Sequence, residues 1–510
     1  IGSENLIGLA GAGASSGMAM AHWEIQGWMI LILGWVFVPF YTRSMVYTMP
    51  EFLERRYNPQ SRTILSVISL VSYVLTKVAV TVYAGGLVFQ QVFGIKELWG
   101  IDFFWIAAIG LVVLTALYTI FGGMKSVLYT SVLQTPILLL GSLIILVLGF
   151  KELGGWDEMM RVCGAVTVNN YGDTMTNLIR SNDDANFPWL GALIGSAIIG
   201  FWYWCTDQFI VQRVLSGKNE MEARRGTIFG AYLKLLPVFL FLIPGMIAFA
   251  LHQKYIGAGG EGFLPMLANG TANADAAFPT LVAKLLPAGV KGLVVCGILA
   301  ALMSSLASLF NSSAMLFTID FYKRFRPETP EKKLVGIGQV ATVVIVILGI
   351  LWIPIMRSVG DVLYTYLQDV QSVLAPGIAA AFLLGICWKR TSAQGGMWGL
   401  IAGMVIGLTR LGAKVYYSNA GEVADSTFKY LFYDMNWLFF CGWMFLFCII
   451  VVIVVSLATK APTAEKIQGL VFGTATKEQK AATRASWNHW DIIHTVIILA
   501  ITGAFYWYFW

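Results

Sequence analysis

Runs of about twenty mostly apolar residues recur along nearly the whole chain, and they limit its fold more than any other feature. A helix needs about 20 such residues to cross the hydrocarbon core of a bilayer. The runs are continuous and do not alternate between apolar and polar residues, which favours helices over barrel strands. The sequence therefore predicts an all-α, polytopic protein in the lipid bilayer of the plasma membrane, or of the inner membrane in a bacterium.

The predicted spans follow one another along the chain. The first segment, 7–17, is rich in Gly, Ala and Ser, so neighbouring helices can approach it closely and it can unwind easily. Later spans are predicted at about 23–41, 63–92, 103–122, 127–150, 188–214, 227–252, 289–322, 334–356, 361–388, 397–417, 437–457 and 492–510. The long connections 151–187 and 253–288 carry Asn, Asp, Gly and Thr and are predicted to be solvated.

Charge sets the orientation and excludes other classes of protein. About 21 of the 34 Lys and Arg residues lie in alternate connections, which the positive-inside rule places in the cytoplasm together with a loop at about 460–488. The net charge of +6 is not concentrated in any basic stripe, so we predict no nucleic-acid partner. The four His residues form no paired ligand set and no phosphate-binding loop is present, so we predict a protein that is not an enzyme and that an ion gradient drives.

Four charged residues fall at membrane depth: Glu24, Lys77, Asp207 and Lys234. A charge there is expensive and is a candidate for function. The alternative is that they pair with one another or reach an interface, and this alternative weighs as much as function for Lys77 and Asp207. Lys234 lies about eight residues into an apolar span, too deep to reach water easily, so function is favoured there.

Two further segments combine polar and aromatic residues. Ala301, Ser304, Ser305, Ser308 and Ser312 recur at helical spacing, which is typical either of close helix packing or of a sodium site built from neutral oxygens. The stretch 200–213, GFWYWCTDQFIVQR, places aromatic rings beside Thr, Asp and Gln inside a span. Aromatic faces suit the C–H face of a pyranose, and amides and carboxylates suit its hydroxyl groups. The span 361–388 is likewise interrupted by Gln and Asp residues, which include Gln368.

Several separated motifs resemble the sodium/solute symporter family, and specifically its sodium–glucose cotransporter branch. They are IGSENLIGLAGAGASSG, YTMPEFLERRYN, WYWCTDQFIVQR, YLKLLP, ALMSSLASLFNS and FLLGICWKR, in order over nearly the whole chain. The resemblance implies a leucine-transporter-like core of two inverted five-helix repeats, with substrate and sodium between two broken helices. The first repeat would cover 1–150 and the second 188–388, with an extracellular loop at 151–187 and peripheral helices at 389–510. One further helix and half of the first core helix would precede Ile1.

The resemblance also implies a set of site residues. The family's sugar ligands fall on Asn5, Glu24, Lys234 and Gln368, and the aromatic residue below the sugar falls on Tyr203, with Trp204 next to it. The outer hydrophobic gate falls on Leu9, Trp23 and Tyr364. The sodium ligands fall on the carbonyls of Ile1 and Ala301 and on Ser304 and Ser305.

Three departures from the family pattern concern the substrate and the ion. Some relatives have polar ligands where this chain has Gly200 and Gly27, and Ser131 replaces an Asp proposed to assist sodium. The resemblance implies sodium-coupled symport of a glucose- or galactose-like hexose into the cell, with sodium as the coupling ion and no other cofactor. The alternatives are a sodium/myo-inositol or other polar-solute symporter of the same family and, from another class, a sodium-linked sugar sensor or channel.

Overall fold

A computed structural model describes residues 4–44, 46, 48–267, 270–359, 362–419 and 424–510. The side chains of residues 4, 118, 120–131, 133–134 and 357–359 lie outside this description. Within the described part, eleven helical runs are long and apolar enough to cross a membrane, and a shorter apolar helix covers Phe103–Leu117. The prediction of an all-α polytopic membrane protein is therefore confirmed.

The first part of the chain forms nine α-helices and a small hairpin. The helices are α1 (Ala10–Ser16), α2 (Ala21–Glu24), α3 (Gly27–Ile32), α4 (Val38–Ser44), α5 (Met49–Arg56), α6 (Pro59–Ser72), α7 (Ala79–Phe93), α8 (Phe103–Leu153) and α9 (Trp156–Gly164). Strands β1 (Glu97–Leu98) and β2 (Ile101–Asp102) pair antiparallel between α7 and α8. Wider π-helical turns at Glu4–Leu9, Leu33–Phe37 and Tyr73–Val78 continue neighbouring α-helices, and Gly17–Met20 is a 3₁₀ turn.

The remaining helices complete the bundle. They are α10 (Trp189–Gly200), α11 (Gln208–Leu215), α12 (Glu220–Pro237), α13 (Ile243–Gly257), α14 (Ala277–Leu285), α15 (Ala288–Met315), α16 (Lys323–Phe325), α17 (Glu331–Val359), α18 (Leu363–Cys387), α19 (Ala393–Asn419), α20 (Thr427–Lys429), α21 (Trp437–Ala458), α22 (Lys477–Ala485) and α23 (His489–Tyr508). Further π turns cover Phe201–Thr206, Val238–Leu242, Leu316–Tyr322 and Tyr430–Asp434, and 3₁₀ turns cover Ala274–Ala276 and Ala464–Lys466.

Helix α8 is assigned continuously over 51 residues, where the sequence predicts two spans. Leu111 and Leu302 both lie against Gly85, while Leu138 lies against Gly297. A straight helix would separate residues 111 and 138 by about 40 Å, whereas residues 297 and 302 of α15 are about 8 Å apart. The chain from 103 to 153 is therefore not one straight helix. Thr135–Leu153 is long and apolar enough to span a membrane and Phe103–Leu117 is a shorter apolar segment, while the two separate spans remain a prediction.

The predicted span 188–214 is broken at Asp207. Asp207 has extended backbone angles (φ −78°, ψ 127°), and its carboxylate caps α11 by accepting from the backbone N–H of Phe209. The π turn Phe201–Thr206 precedes the break and carries Tyr203 and Trp204. A candidate span is found here, but it covers Trp189–Thr206 and does not continue to Val214 as predicted, because an aspartate that caps a new helix ends the one before it.

The start of the chain is also interrupted. Helix α1 ends at Gly17, whose φ of +65° and close approach to the carbonyl of Met175 exclude a side chain. A second interruption, at Ile25 and Gln26, separates α2 from α3, so Glu24 is the last residue of α2 within the candidate span Asn5–Ser44. The carbonyl of Ile1, a predicted sodium ligand, falls outside the described residues.

The prediction that the connection 253–288 is solvated holds for residues 253–261, which are exposed, but it was wrong for residues 277–285. The connection contains α14, where Phe278, Leu281 and Val282 are fully buried against the bundle. This helix is only nine residues long and follows a stretch that contains Asn, Asp and Gly residues. Its apolar face therefore gives only a weak signal in the sequence. The division of the chain into two inverted repeats remains a prediction.

Candidate functional site

One cavity of about 440 Å³ collects nearly all of the predicted site residues. Of that set it is lined by Asn5, Trp23, Glu24, Tyr203, Trp204, Lys234, Ala301, Ser304, Ser305, Tyr364 and Gln368. Leu9 is fully buried but does not line the cavity. Ile1 lies outside the described residues, as does the side chain of Ser131.

A charged network forms one wall of the cavity. The Nζ of Lys234 on α12 lies 2.6 Å from the Oε2 of Glu24, and the hydroxyl of Tyr364 donates to the Oε1 of Glu24 at 2.6 Å. Glu24 is completely buried, so each carboxylate oxygen is satisfied by a donor from a different helix. The network joins α2, α12 and α18 across the cavity.

Aromatic rings and unsatisfied polar atoms line the rest of the wall. The Nζ of Lys234 lies 5.3 Å from the ring centroid of Trp204, whose ring meets that of Tyr203 edge to face. The buried Oε1 of Gln368 and the buried Nε1 of Trp23 have no hydrogen-bond partner among the described residues. Because such atoms are usually satisfied, they match a ligand that both donates and accepts hydrogen bonds.

The cavity is closed at one end and extends towards the other. Trp23 stacks on Trp437 at 5.4 Å and meets Phe187 edge to face at 6.0 Å, which seals the end near Tyr364. In the other direction the lining continues past Tyr203 to Arg213, Val214, Gly226 and Thr227. That end lies beside the basic connection between α11 and α12, which the sequence places in the cytoplasm.

The small residues at helical spacing along α15, from Ala301 to Ser312, fall into two groups with different surroundings. Ala301, Ser304 and Ser305 line the cavity, as the sodium site requires. Ser308 accepts a hydrogen bond from Arg213, and Ser312 accepts one from Gln212. The second group is therefore a polar contact between α15 and α11.

Lys77 and Asp207 form an ion pair with each other, the alternative that the sequence left open. The hydroxyl of Tyr73 donates to the Oδ1 of Asp207 at 2.9 Å. The Nζ of Lys77 lies 4.1 Å from the ring centroid of Phe209 and 5.1 Å from that of Tyr203. The pair therefore connects the break at Asp207 to the π turn Tyr73–Val78, which precedes α7. The ammonium group of Lys77 lies next to the ring of Tyr203.

Sequence reasoning missed Gln26 as a cavity residue. It gave no role to this amide, which follows Glu24 by two positions and also lines the cavity. It did note the polar residues of α18, and the structure separates them: Gln368 and Gln371 line the cavity, while Asp369 pairs with Lys414 of α19. The sequence did contain a signal for Gln26: it is a polar residue two positions after the predicted ligand Glu24.

Comparison with known proteins supplies the family context. Residues 1–403 match the model of the Sodium:solute symporter family. The chain is 36% identical over 487 residues to sodium/myo-inositol cotransporter 2 of Homo sapiens, covering 93% of this chain and 71% of that protein. It is 38% identical over 478 residues to sodium/glucose cotransporter 1 of Ovis aries, covering 90% and 71%.

A solved structure shares the fold. A Na⁺-coupled sialic acid symporter in its substrate-bound outward-open state matches with a TM-score of 0.67 and 20% identity, over 91% of this chain and 88% of that one. The predicted leucine-transporter-like fold is confirmed by this likeness.

Proposed function

Because the chain belongs to the sodium:solute symporter family, we propose that it is a secondary active transporter that couples the entry of a hexose to sodium by alternating access. The observation that carries the proposal is the single cavity that holds Glu24, Lys234, Gln368 and the α15 serines together. Solute ligands and candidate sodium ligands share one enclosed space, which is what coupling needs.

The walls of the cavity suit a polyhydroxylated ring. Trp204 and Tyr203 offer faces and edges to C–H groups, and Glu24 and Lys234 offer an acceptor and a donor to hydroxyl groups. The buried Oε1 of Gln368 has no partner among the residues that the structure describes, and a sugar hydroxyl would supply a donor to it. Asn5 adds a further amide to the cavity lining.

The sodium ion is assigned to neutral oxygens. Ser304 and Ser305 present hydroxyl groups one helical turn below the carbonyl of Ala301, and the carbonyl of Ile1 would complete the set. Neutral ligands suit a monovalent cation because no buried carboxylate must be neutralised when sodium leaves.

Gating follows from the asymmetry of the cavity. We assign the outer barrier to Trp23 and Tyr364, with Tyr364 held by Glu24; Leu9, the third residue of the predicted gate, is buried outside the cavity lining. Tyr203 stands between the solute ligands and the cytoplasmic end, where its ring blocks exit until sodium leaves. The arrangement corresponds to a state closed to the outside.

Two alternatives remain to be separated by experiment. A cyclitol such as myo-inositol would present hydroxyl groups to the same ligands. The relatives named for myo-inositol and for glucose have nearly the same percentage of sequence identity to this chain, 36% and 38%. A sodium-linked sensor or channel would bind the solute without accumulating it.

The test is uptake of labelled glucose, galactose and myo-inositol into proteoliposomes that contain the purified protein. We expect accumulation of a hexose above equilibrium when a sodium gradient points inward, and none when potassium replaces sodium. Gln368→Ala should weaken uptake about tenfold, because its loss removes a buried hydrogen bond worth about 1–3 kcal/mol. Sodium-independent equilibration would contradict symport, and exclusive uptake of myo-inositol would replace the hexose by the cyclitol.

A further inference from the structure

The family resemblance implies polar ligands in some relatives at two positions where this chain has glycine, Gly27 and Gly200. Their surroundings differ. A Cβ on Gly27 would lie 3.0 Å from the carbonyl oxygen of Ala231 and 3.4 Å from Ile498. Gly27 therefore packs against α12 and α23, and it is not part of the cavity lining. A side chain at this position would meet α12 and α23 and would not face the cavity.

Gly200 lines the cavity, but the space next to it is already filled. A Cβ on Gly200 would lie 2.4 Å from the Oε1 and 3.1 Å from the Cδ of Gln26. Real Cβ atoms essentially never show contacts under 3 Å, so a larger residue at position 200 requires the end of the Gln26 side chain to move from its present position. The absence of a side chain at Gly200 is what allows the long amide of Gln26 to lie across the cavity wall.

The orientation of the Gln26 amide follows from its one described hydrogen bond. Its Nε2 donates to the carbonyl oxygen of Ser196 at 2.8 Å. A carbonyl can only accept, so the NH₂ group must face Ser196 and the Oε1 must face Gly200 and the cavity. No donor to this Oε1 is described within the ranges that the structure covers. Gln26 is 3% exposed, and α10 therefore holds its amide in one position.

We propose that Gln26 is a solute ligand that determines specificity, with its Oε1 accepting a hydrogen bond from one hydroxyl group of the transported polyol. The inference rests on the proposed function. A single amide from the turn between α2 and α3 then serves in place of side chains missing at Gly27 and Gly200. It stands two residues after Glu24, so the two acceptors approach the solute from the same segment.

The first test replaces Gln26 by Met, which keeps the length of the side chain and removes its polar atoms. Uptake is measured for the preferred solute among glucose, galactose and myo-inositol, and for its monodeoxy analogues. We expect Gln26→Met to weaken the apparent affinity for the full solute about tenfold. One deoxy analogue should be unaffected, because it already lacks the hydroxyl that Gln26 would accept from. Gln90→Met, which removes an exposed amide bonded to Asp102, is the matched control.

The second test uses the space beside Gly200, which the Gln26 amide now fills and which a side chain at position 200 would also need. Gly200→Asn alone should reduce uptake at least tenfold because the new Cβ displaces the Gln26 amide. Gln26→Ala in the same chain should restore uptake by removing the obstruction, with the amide now supplied from α10. The pattern of affected deoxy analogues should change in the restored protein.

The results that overturn the inference are specific to it. Equal losses for the full solute and every deoxy analogue in Gln26→Met would assign Gln26 to packing alone. Wild-type uptake by Gly200→Asn would show that the two positions do not compete. Both results require that the wild-type protein transports the solute. Failure of the proposed function would instead appear as a lack of sodium-driven uptake in the wild type itself.

Discussion

The ion pair between Lys234 and Glu24 gives the sharpest prediction about the energetics of the site. The charged atoms lie 2.6 Å apart, and the two side chains are 12% and 1% exposed. Lys234→Met keeps most of the apolar stem but leaves the Glu24 carboxylate buried with the Tyr364 hydroxyl as its remaining described donor. Removing one partner of a buried pair in this way destabilises a protein by about 3–5 kcal/mol.

Adding Glu24→Gln to Lys234→Met distinguishes the effect of an unpaired buried charge from the effect of lost packing. Gln in place of Glu24 removes the negative charge and keeps the shape, so Lys234→Met with Glu24→Gln should recover most of the stability that Lys234→Met loses. Neither protein should transport, because both lack proposed solute ligands. The double variant should therefore fold well and remain inactive.

The assay is thermal unfolding of the purified proteins in detergent, beside uptake in proteoliposomes. The control is Lys429→Met with and without Asp425→Asn, an i,i+4 pair whose Asp425 side chain is 94% exposed, for which we expect no measurable change. If the double variant is as unstable as Lys234→Met, the pair is not a balanced buried charge and the reasoning fails. Unchanged stability of Lys234→Met would refute it equally.

Three further predictions concern the ion, the gate and the buried carboxyl of Asp275. Ser305→Ala should raise the sodium concentration needed for half-maximal uptake before it changes solute preference; an unaltered sodium dependence would leave the serine in helix packing. Tyr203→Ala should bind solute but accumulate it poorly, and Tyr203→Phe should be milder since it keeps the ring; parallel losses of binding and accumulation would exclude a gate. Burial raises the pKa of the Asp275 carboxyl to about 7, so the folded protein holds this proton more tightly than the unfolded chain. Stability is then lost as pH rises from about 4 through 7, and Asp275→Asn should reduce that loss in unfolding measured from pH 5 to pH 8, whereas an unchanged pH profile would show that Asp275 does not contribute.

The membrane helices could be predicted because their signal is local. A continuous apolar run such as that of α21 needs no partner to be recognised, and lipid provides its surroundings. The break at Asp207 could not be predicted in this way. It depends on Lys77 and Tyr73, residues more than a hundred positions away that stabilise the carboxylate where the helix stops.

The same limit applies to the site. The family resemblance placed Glu24, Lys234 and Gln368 in one site, and the structure places all three on one cavity. It gave no reason to select Gln26, because the family's polar position is the following residue. Only the packing of Gly27 on α12 and the space beside Gly200 show which of the two positions faces the cavity.

The most direct test of the account is the coupling between sodium and solute binding at equilibrium. Affinity for the transported polyol should be measured in the purified protein with sodium and with potassium, and sodium affinity with and without the polyol. We predict that each ligand tightens the other by the same factor, since binding free energies are reciprocally linked. Ser305→Ala should reduce that factor. Solute binding that is equally tight in sodium and potassium would contradict sodium-coupled symport through this cavity.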